Sequence, residues 1–290
     1  MRDWPALLLE FPGPDGAASS QAPLTDLVPA TLDGFDVVAV VEQPDGVWQV
    51  CVRDADHRAA AAAALRARHA REGLLVLERD LPDEDWARRS QAALRAVQVG
   101  RIRVAPPWDL DGGPADGTAT IVIDPAMGFG SGHHATTRLC LAALQRLDCR
   151  GRRVLDIGTG SGVLALAAAT LGARTVLGVD HDGDALENAR GNAARNGRSA
   201  TVDFLEADFR RIDMDPADVV LANLTGSMLA DCAASLTRLV RPDGSLVVSG
   251  IASEERDRVL AAFAGWGRAE WVAEEDGWYA AVLRALGPGD

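Results

Sequence analysis

From residue 151 onward, apolar residues fall into short continuous runs that alternate with longer stretches in which they recur three and four positions apart. The short runs predict strands at 152–157, 175–180, 201–206, 218–222 and 245–249. The longer stretches predict helices at 161–172, 182–196, about 226–240 and 253–264. Two more strands, near 268–273 and 278–284, follow one another directly, which implies an antiparallel finish. Strand–helix alternation of this kind predicts an α/β fold: a mostly parallel sheet with helices on both faces and an antiparallel last strand. Ligands of such sheets gather at the C-terminal ends of the strands.

The N-terminal part follows another pattern. Ala6–Phe11, Phe35–Val41, Val47–Val52 and Leu74–Leu77 are strand-like, with a turn at Pro44-Asp45-Gly46 and an Ala-rich helix over His57–Arg71. This order predicts a small α+β, ferredoxin-like module. Pro23 and Pro29 interrupt the segment where its first helix would lie. A linking helix opens at Leu81-Pro82-Asp83, with Asp83 as N-cap, and runs to about Val97. Arg101–Ala105 then forms a strand that stops at Pro106-Pro107-Trp108, and Ile121–Asp124 forms another. The expected plan is a recognition domain over 1–80, a linker helix over 81–100 and the larger domain over 101–290. A dimerisation role for the small module is the alternative.

Composition narrows the function. A chain of 290 residues with 48% hydrophobic and 24% charged residues has the balance of an ordinary soluble protein with room for two domains. Its net charge of −13 disfavours direct nucleic-acid binding and favours a basic protein or an amine as partner. All 29 basic residues are arginine, so the chain offers no lysine for modification. The four cysteines are scattered, without metal-ligand spacing or a disulfide pattern. No leader is visible and no apolar run is long enough to span a bilayer, so a cytoplasmic location is expected.

Two stretches carry chemistry. In Val154-Leu155-Asp156-Ile157-Gly158-Thr159-Gly160-Ser161-Gly162-Val163-Leu164 a buried strand gives way to a glycine-rich turn and then to a helix. The spacing is Gly-x-Gly-x-Gly, and Asp156 directly precedes it. A carboxylate there would repel a pyrophosphate, which counts against a dinucleotide site, but it suits a ligand bearing an ammonium or sulfonium. Asp180, roughly 20 residues past the first glycine, stands where an acid hydrogen-bonds a nucleoside ribose. Asp208 and Asn223 end the next two strands, so every polar candidate falls on one rim. The second stretch, Pro125-Ala126-Met127-Gly128-Phe129-Gly130-Ser131-Gly132-His133-His134-Ala135-Thr136-Thr137-Arg138, is a tight loop leading into a helix over Thr137–Leu147. Adjacent histidines on an extended loop cannot readily chelate one ion, and no acid or cysteine lies at ligand spacing, so no metal site is expected.

These stretches resemble the ribosomal protein L11 methyltransferase (PrmA) family of class I methyltransferases. The loop from Asp124-Pro125 through Thr136-Thr137-Arg138-Leu139 is the most specific part. Asp85-Trp86, Pro107-Trp108, Leu155–Leu164, Val219–Leu224, Ser249-Gly250-Ile251 and Asp276-Gly277-Trp278 are also similar. The resemblance implies a Rossmann-like domain, S-adenosyl-L-methionine as methyl donor, and N-methylation of amino groups on ribosomal protein L11; a monomer is expected. It maps cofactor contacts onto Thr137, Gly158, Asp180 and Asn223. It places Asp180 on the ribose hydroxyls and Gly158 and Gly160 along the methionine part. The wider superfamily adds Asp208 beside the adenine amino group. Asn223 is the catalytic candidate, accepting hydrogen bonds from the substrate amine, and Phe129 either walls the methyl channel or packs under its loop. The chain departs from the family at Ser90, where an aromatic is common, and its first 80 residues match in layout only. A methyltransferase of the same fold acting on another protein or a small amine, and a cofactor-binding protein without transfer activity, are the alternatives.

Overall fold

The computed structural model describes residues 3–12, 24, 28, 31–32, 34–42, 46–82, 94–110, 117–125 and 133–286. The chain divides into two compact units, 1–93 and 94–290.

In the first unit, β1 (Asp3–Glu10), β2 (Val37–Glu42), β3 (Trp48–Val52) and β4 (Leu75–Pro82) form an antiparallel sheet in the order β2-β3-β1-β4. This is the ferredoxin-like order. Helix α1 (Ala55–His69) starts where Asp54 accepts a 2.9 Å hydrogen bond from the His57 backbone N–H. Alternate strand residues Leu7, Leu9, Val50 and Val52 turn towards Ala61, Ala62 and Leu65 of α1 to make the core. The break expected from Pro23 and Pro29 does not abolish helix in that segment. Leu24, Val28, Thr31 and Leu32 have helical backbone, and Val28 and Leu32, four apart, bury into the same core. Strand β4 runs to Pro82, longer than its apolar run, because it pairs with β1 along its whole length, from Glu10 opposite Leu75 to Asp3 opposite Pro82. Most of the expected linking helix, with Asp83, Asp85-Trp86 and Ser90, lies outside the described residues.

The second unit opens with β5 (Val97–Val99), β6 (Ile102–Ala105) and β7 (Ala119–Val122), a separate three-stranded sheet. Val97, expected at the end of the linking helix, instead pairs with Val104. Helix α2 (Ala135–Leu144) follows, and then the main sheet: β8 (Arg153–Ile157), β9 (Thr175–Asp180), β10 (Val202–Glu206), β11 (Ala217–Asn223), β12 (Val240–Ala252), β13 (Gly267–Glu275) and β14 (Trp278–Ala285). Their order is β10-β9-β8-β11-β12-β14-β13, with β14 antiparallel to both its neighbours. Strands β8 to β12 run parallel, linked by α3 (Val163–Thr170), α4 (Gly183–Arg195), α5 (Gly226–Asp231) and α6 (Ala233–Arg238), while α7 (Arg256–Phe263) leads to β13.

Period-two alternation explains the two cores. Val154, Val176, Val219, Leu221 and Val247 point to one face, where they meet α2 and α3, whose residues 163–169 are all buried. Leu155, Ile157, Val179, Val220 and Val248 point to the other and meet α5 to α7. The single helix expected over 226–240 is two short ones, divided at Cys232, and both fully buried leucines, Leu229 and Leu236, still face the second core.

The strand order starts at the centre and reverses between β8 and β11, so the loops after these strands diverge and leave a crevice at their C-terminal ends. Beside it β12 has an irregularity between Val248 and Ile251. Gly250 there has φ +86°, and a Cβ would fall 2.1 Å from the Leu224 carbonyl oxygen. Gly250→Ala is therefore expected to cost about 2–4 kcal/mol in urea unfolding, since neither the backbone angle nor the contact can relax cheaply; an unchanged midpoint would contradict this packing.

Candidate functional site at the C-terminal rim

The turn between β8 and α3 owes its shape to three alternate glycines in left-handed conformation, Gly158 (φ 69°), Gly160 (φ 51°) and Gly162 (φ 80°). Hydrogen bonds stitch it to β9. The N–H groups of Gly158 and Thr159 donate to the Val179 carbonyl at 2.8 and 3.1 Å. The Gly160 N–H donates to Asp180 Oδ2 at 2.9 Å. Asp180 Oδ1 also accepts from the Asp182 N–H at 3.2 Å and lies 3.4 Å from His181 Nδ1. Gly178 in β9 has no room for a side chain, because a Cβ would lie 2.7 Å from both Phe204 Cδ1 and Thr159 Oγ1.

Asp156 sits beneath this turn with 1% of its surface exposed. Its Oδ2 accepts from Thr159 Oγ1 at 2.7 Å and from the Ala165 N–H at 3.0 Å. It thus joins the turn to the first part of α3. Burial pushes its pKa up to about 6, against the pull of those two hydrogen bonds and with the added repulsion of the Asp180 carboxylate. The rim therefore holds two carboxylates whose mutual repulsion a cationic ligand would relieve.

The neighbouring strands complete the rim. After β10, the Ala207 N–H donates to the Asp180 carbonyl at 2.8 Å, and Asp208 follows. Arg210 grips the Asp208 carboxylate with Nε at 2.7 Å and Nη2 at 2.8 Å, and Arg211 lies 3.3 Å away. The Arg210 guanidinium holds the Asp208 pKa down to about 2. Leu224, just after β11, covers Gly158, where a Cβ would be 2.6 Å from Leu224 Cδ2. This contact brings Asn223 alongside the glycine turn. Asn223 Nδ2 donates to Thr136 Oγ1 at 3.3 Å. Thr137 is buried in the first turn of α2, its N–H donating to the His134 carbonyl at 3.0 Å.

Asp156, Gly158, Gly160 and Asp180 are thus directly linked, and Asn223 adjoins them. Asp208 borders the group with its carboxylate already engaged. Phe129 and the glycines of its loop lie outside the described residues. Sequence reasoning gave no role to the partners around Asn223, Thr136 and His134. His134 is part-buried and is itself the side-chain cap of α2, with Trp278 edge-on at 4.9 Å between ring centroids. Trp278 had a sequence signal only as part of the terminal Asp-Gly-Trp.

Elsewhere, a cleft of about 490 Å³ lies at the opposite end of the sheet, lined by Arg101, Arg146, Arg150, Thr170 and others near the C-terminal ends of α2 and α3. Cations there are what helix C-termini favour. Among the described residues, no group of three or more His, Cys, Asp or Glu is arranged to hold a metal, and no helix is long and apolar enough to cross a membrane.

Comparison with known proteins places this rim in context. The family model described as ribosomal protein L11 methyltransferase (PrmA) matches residues 45–285. The chain belongs to that family. A ribosomal protein L11 methyltransferase of Symbiobacterium thermophilum is 39% identical over 200 residues, which are 68% of this chain and 65% of that protein. One from Pseudomonas aeruginosa is 39% identical over 202 residues, 69% of this chain and 67% of that protein. The matches thus span about two thirds of these relatives' own length. A crystal structure of a ribosomal protein L11 methylase from Lactobacillus delbrueckii subsp. bulgaricus superposes with a TM-score of 0.62 at 26% identity, covering 67% of this chain and 100% of that one. This family member therefore has a Rossmann-like methyltransferase sheet.

Asp156 gives this site a pH signature. A buried carboxyl whose pKa is raised to about 6 costs stability above that pH, where it must ionise, and the cost fades as pH falls towards the ordinary value of 3.8. Asp156→Asn should therefore melt a few degrees above the wild type at pH 8, with the gap closing as pH falls through 6. A gap that stays constant with pH, or has the opposite sign, would refute the assignment.

Proposed function

We propose that this protein is an S-adenosyl-L-methionine-dependent N-methyltransferase acting on amino groups, lysine side chains or the N-terminal amine, of ribosomal protein L11. The observation that carries the reading is the pair Asp156 and Asp180 around a left-handed glycine turn, with the Asn223 amide beside it, in a chain of this family.

The residues present fit that cofactor. Asp180 offers carboxylate oxygens, the acceptors a ribose diol needs. The turn at Gly158 and Gly160 carries no side chain that would obstruct the methionine part. Asp156 and Asp180 together favour a cation over the pyrophosphate that a dinucleotide would bring. Thr137, buried at the start of α2, is assigned to the cofactor, and Asp208, shared with Arg210, to the adenine amino group. When bound, the sulfonium supplies an electrophilic methyl.

The protein's work is to align the substrate amine and receive it unprotonated. A free lysine amine has a pKa of about 10.4, so the site must favour the neutral form. A half-buried rim near a bound cation does so, and Asn223 Oδ1 accepts an N–H of the amine and points its lone pair at the methyl. The net charge of −13 steers a basic protein towards the chain. The N-terminal module over 1–80 is read as the substrate-recognition domain. The four cysteines are free and buried, in keeping with a cytoplasmic location.

The deciding experiment is methyl transfer from labelled S-adenosyl-L-methionine to purified, unmethylated ribosomal protein L11, read by intact mass. The expected result is a mass gain in steps of one methyl. Cofactor binding without L11 modification would overturn the substrate assignment and favour another protein or a small amine. Asp180→Ala should weaken cofactor binding roughly ten- to a hundredfold in calorimetry, the loss of hydrogen bonds to a charged acceptor; an unchanged affinity would remove Asp180 from the ribose site.

A further inference from the structure

The side-chain amide of Asn223 has two ends with opposite hydrogen-bonding character, and only one of them can receive an amine N–H. Which end faces the crevice is decided by the residues behind it. Asn223 Nδ2 lies 3.3 Å from Thr136 Oγ1, and Thr136 Oγ1 lies 2.8 Å from His134 Nδ1. His134 Nδ1 is also approached by the Thr136 backbone N–H at 3.4 Å.

A backbone N–H can only donate. His134 Nδ1 must therefore be an acceptor, with the ring neutral and its proton on Nε2. The Thr136 hydroxyl then donates its hydrogen to Nδ1 and keeps its lone pairs for Asn223. The amide must in turn present N–H to Thr136, and its oxygen is left facing the other way. No described residue donates to Oδ1. On that side stands Gly250, whose missing Cβ would lie 3.2 Å from Oδ1. Every link in the chain takes its polarity from one backbone N–H.

We propose that His134 and Thr136 are positioning residues that hold the Asn223 amide with Oδ1 towards the substrate amine, and that protonation of His134 reverses the amide and turns transfer off. This rests on the methyl-transfer reading above. With a proton on Nδ1 the imidazolium would donate to Thr136 Oγ1 and free the hydroxyl hydrogen, which would then compete for the Asn223 oxygen and favour turning it inwards. Its NH₂ would then meet the amine, donor against donor.

The surroundings keep His134 neutral. Burial lowers its pKa below the ordinary histidine value, and the Arg138 guanidinium one turn along α2 lowers it further. Arg138 is fixed by Glu275 at 2.8 Å and Asp276 at 2.7 Å, from the β13–β14 turn. These acids partly offset its charge, while Trp278, from the same turn, packs against the ring with an interplanar angle of 66°. His133 precedes on the same loop, and its Nε2 lies 2.6 Å from the Arg95 carbonyl. Asp156, behind the glycine turn, titrates near 6 and is common to every protein compared below.

The test has two arms. In the first, the ring of His134 and the side-chain amide of Asn223 are followed by NMR from pH 8 to 5 in the full-length protein. The amide signals should move with the His134 titration, at a pKa below 6.5, and lose that step in Thr136→Val. An amide that ignores His134 overturns the proposal. In the second, kcat/KM for L11 is measured against pH with S-adenosyl-L-methionine saturating. Its logarithm should rise with unit slope from the amine alone and steepen below the His134 pKa. His134→Asn, which keeps an acceptor but cannot take up a proton in this range, should lose the His134 contribution from the profile, whatever its rate at high pH. Thr136→Val should lower kcat roughly ten- to a hundredfold with little change in cofactor affinity, and Thr136→Ser should restore it. Profiles that coincide in wild type and His134→Asn overturn the proposal. If the amide follows His134 but the wild type transfers no methyl, the functional reading falls and the relay stands.

Discussion

The structure at the crevice depends on one constraint: a tight glycine turn after the central strand must be held open by carboxylates that are themselves nearly out of water. Asp180 takes the N–H of Gly160, and Asp156 takes the hydroxyl of Thr159 and the first turn of α3. Truncating either carboxylate to alanine would leave the donors it engages without partners, at about 1–3 kcal/mol each. The same two groups give the crevice its negative potential. The interactions that shape the loop therefore also select what can sit above it.

Around this point the fold supplies rigid neighbours. The reversal of strand order between β8 and β11 opens the space. The contact of Leu224 with Gly158 closes one side, and the close passage of Leu224 over Gly250 ties β12 to the end of β11. Three glycines constrain the rim: Gly158 by its φ of +69°, Gly178 by the Phe204 ring and Thr159 hydroxyl that a Cβ would strike, and Gly250 by both its φ of +86° and the Leu224 carbonyl. This makes the rim backbone-defined, so side chains such as Asn223 project from a frame with little freedom to adjust.

Much of this was legible from residue order. The continuous apolar runs of Val154–Ile157, Val176–Val179 and Val219–Ala222 specified strands buried on both faces, and the Gly-x-Gly-x-Gly spacing after Asp156 specified the turn. Element ends were less legible. The length of β4 is a property of its pairing with β1, and the helical backbone at Leu24, Val28 and Leu32 owes its place to the core it fills, which outweighs the nearby prolines. The division of 226–240 at Cys232 likewise has no signature in the apolar pattern.

The sequence by itself determined the fold class, the family motif and the list of acids and amides at strand ends, because these depend on local periodicity and on backbone angles that only glycine adopts freely. The tertiary structure alone decided how those groups are used. That Asp208 is engaged by Arg210, that Asp156 is buried enough to titrate near 6, and that His134 and Thr136 stand behind Asn223 all follow from contacts between distant parts of the chain. Thr136 and Asn223 are 87 positions apart, and the direction of a hydrogen bond between them is set by a helix cap that only the folded chain forms.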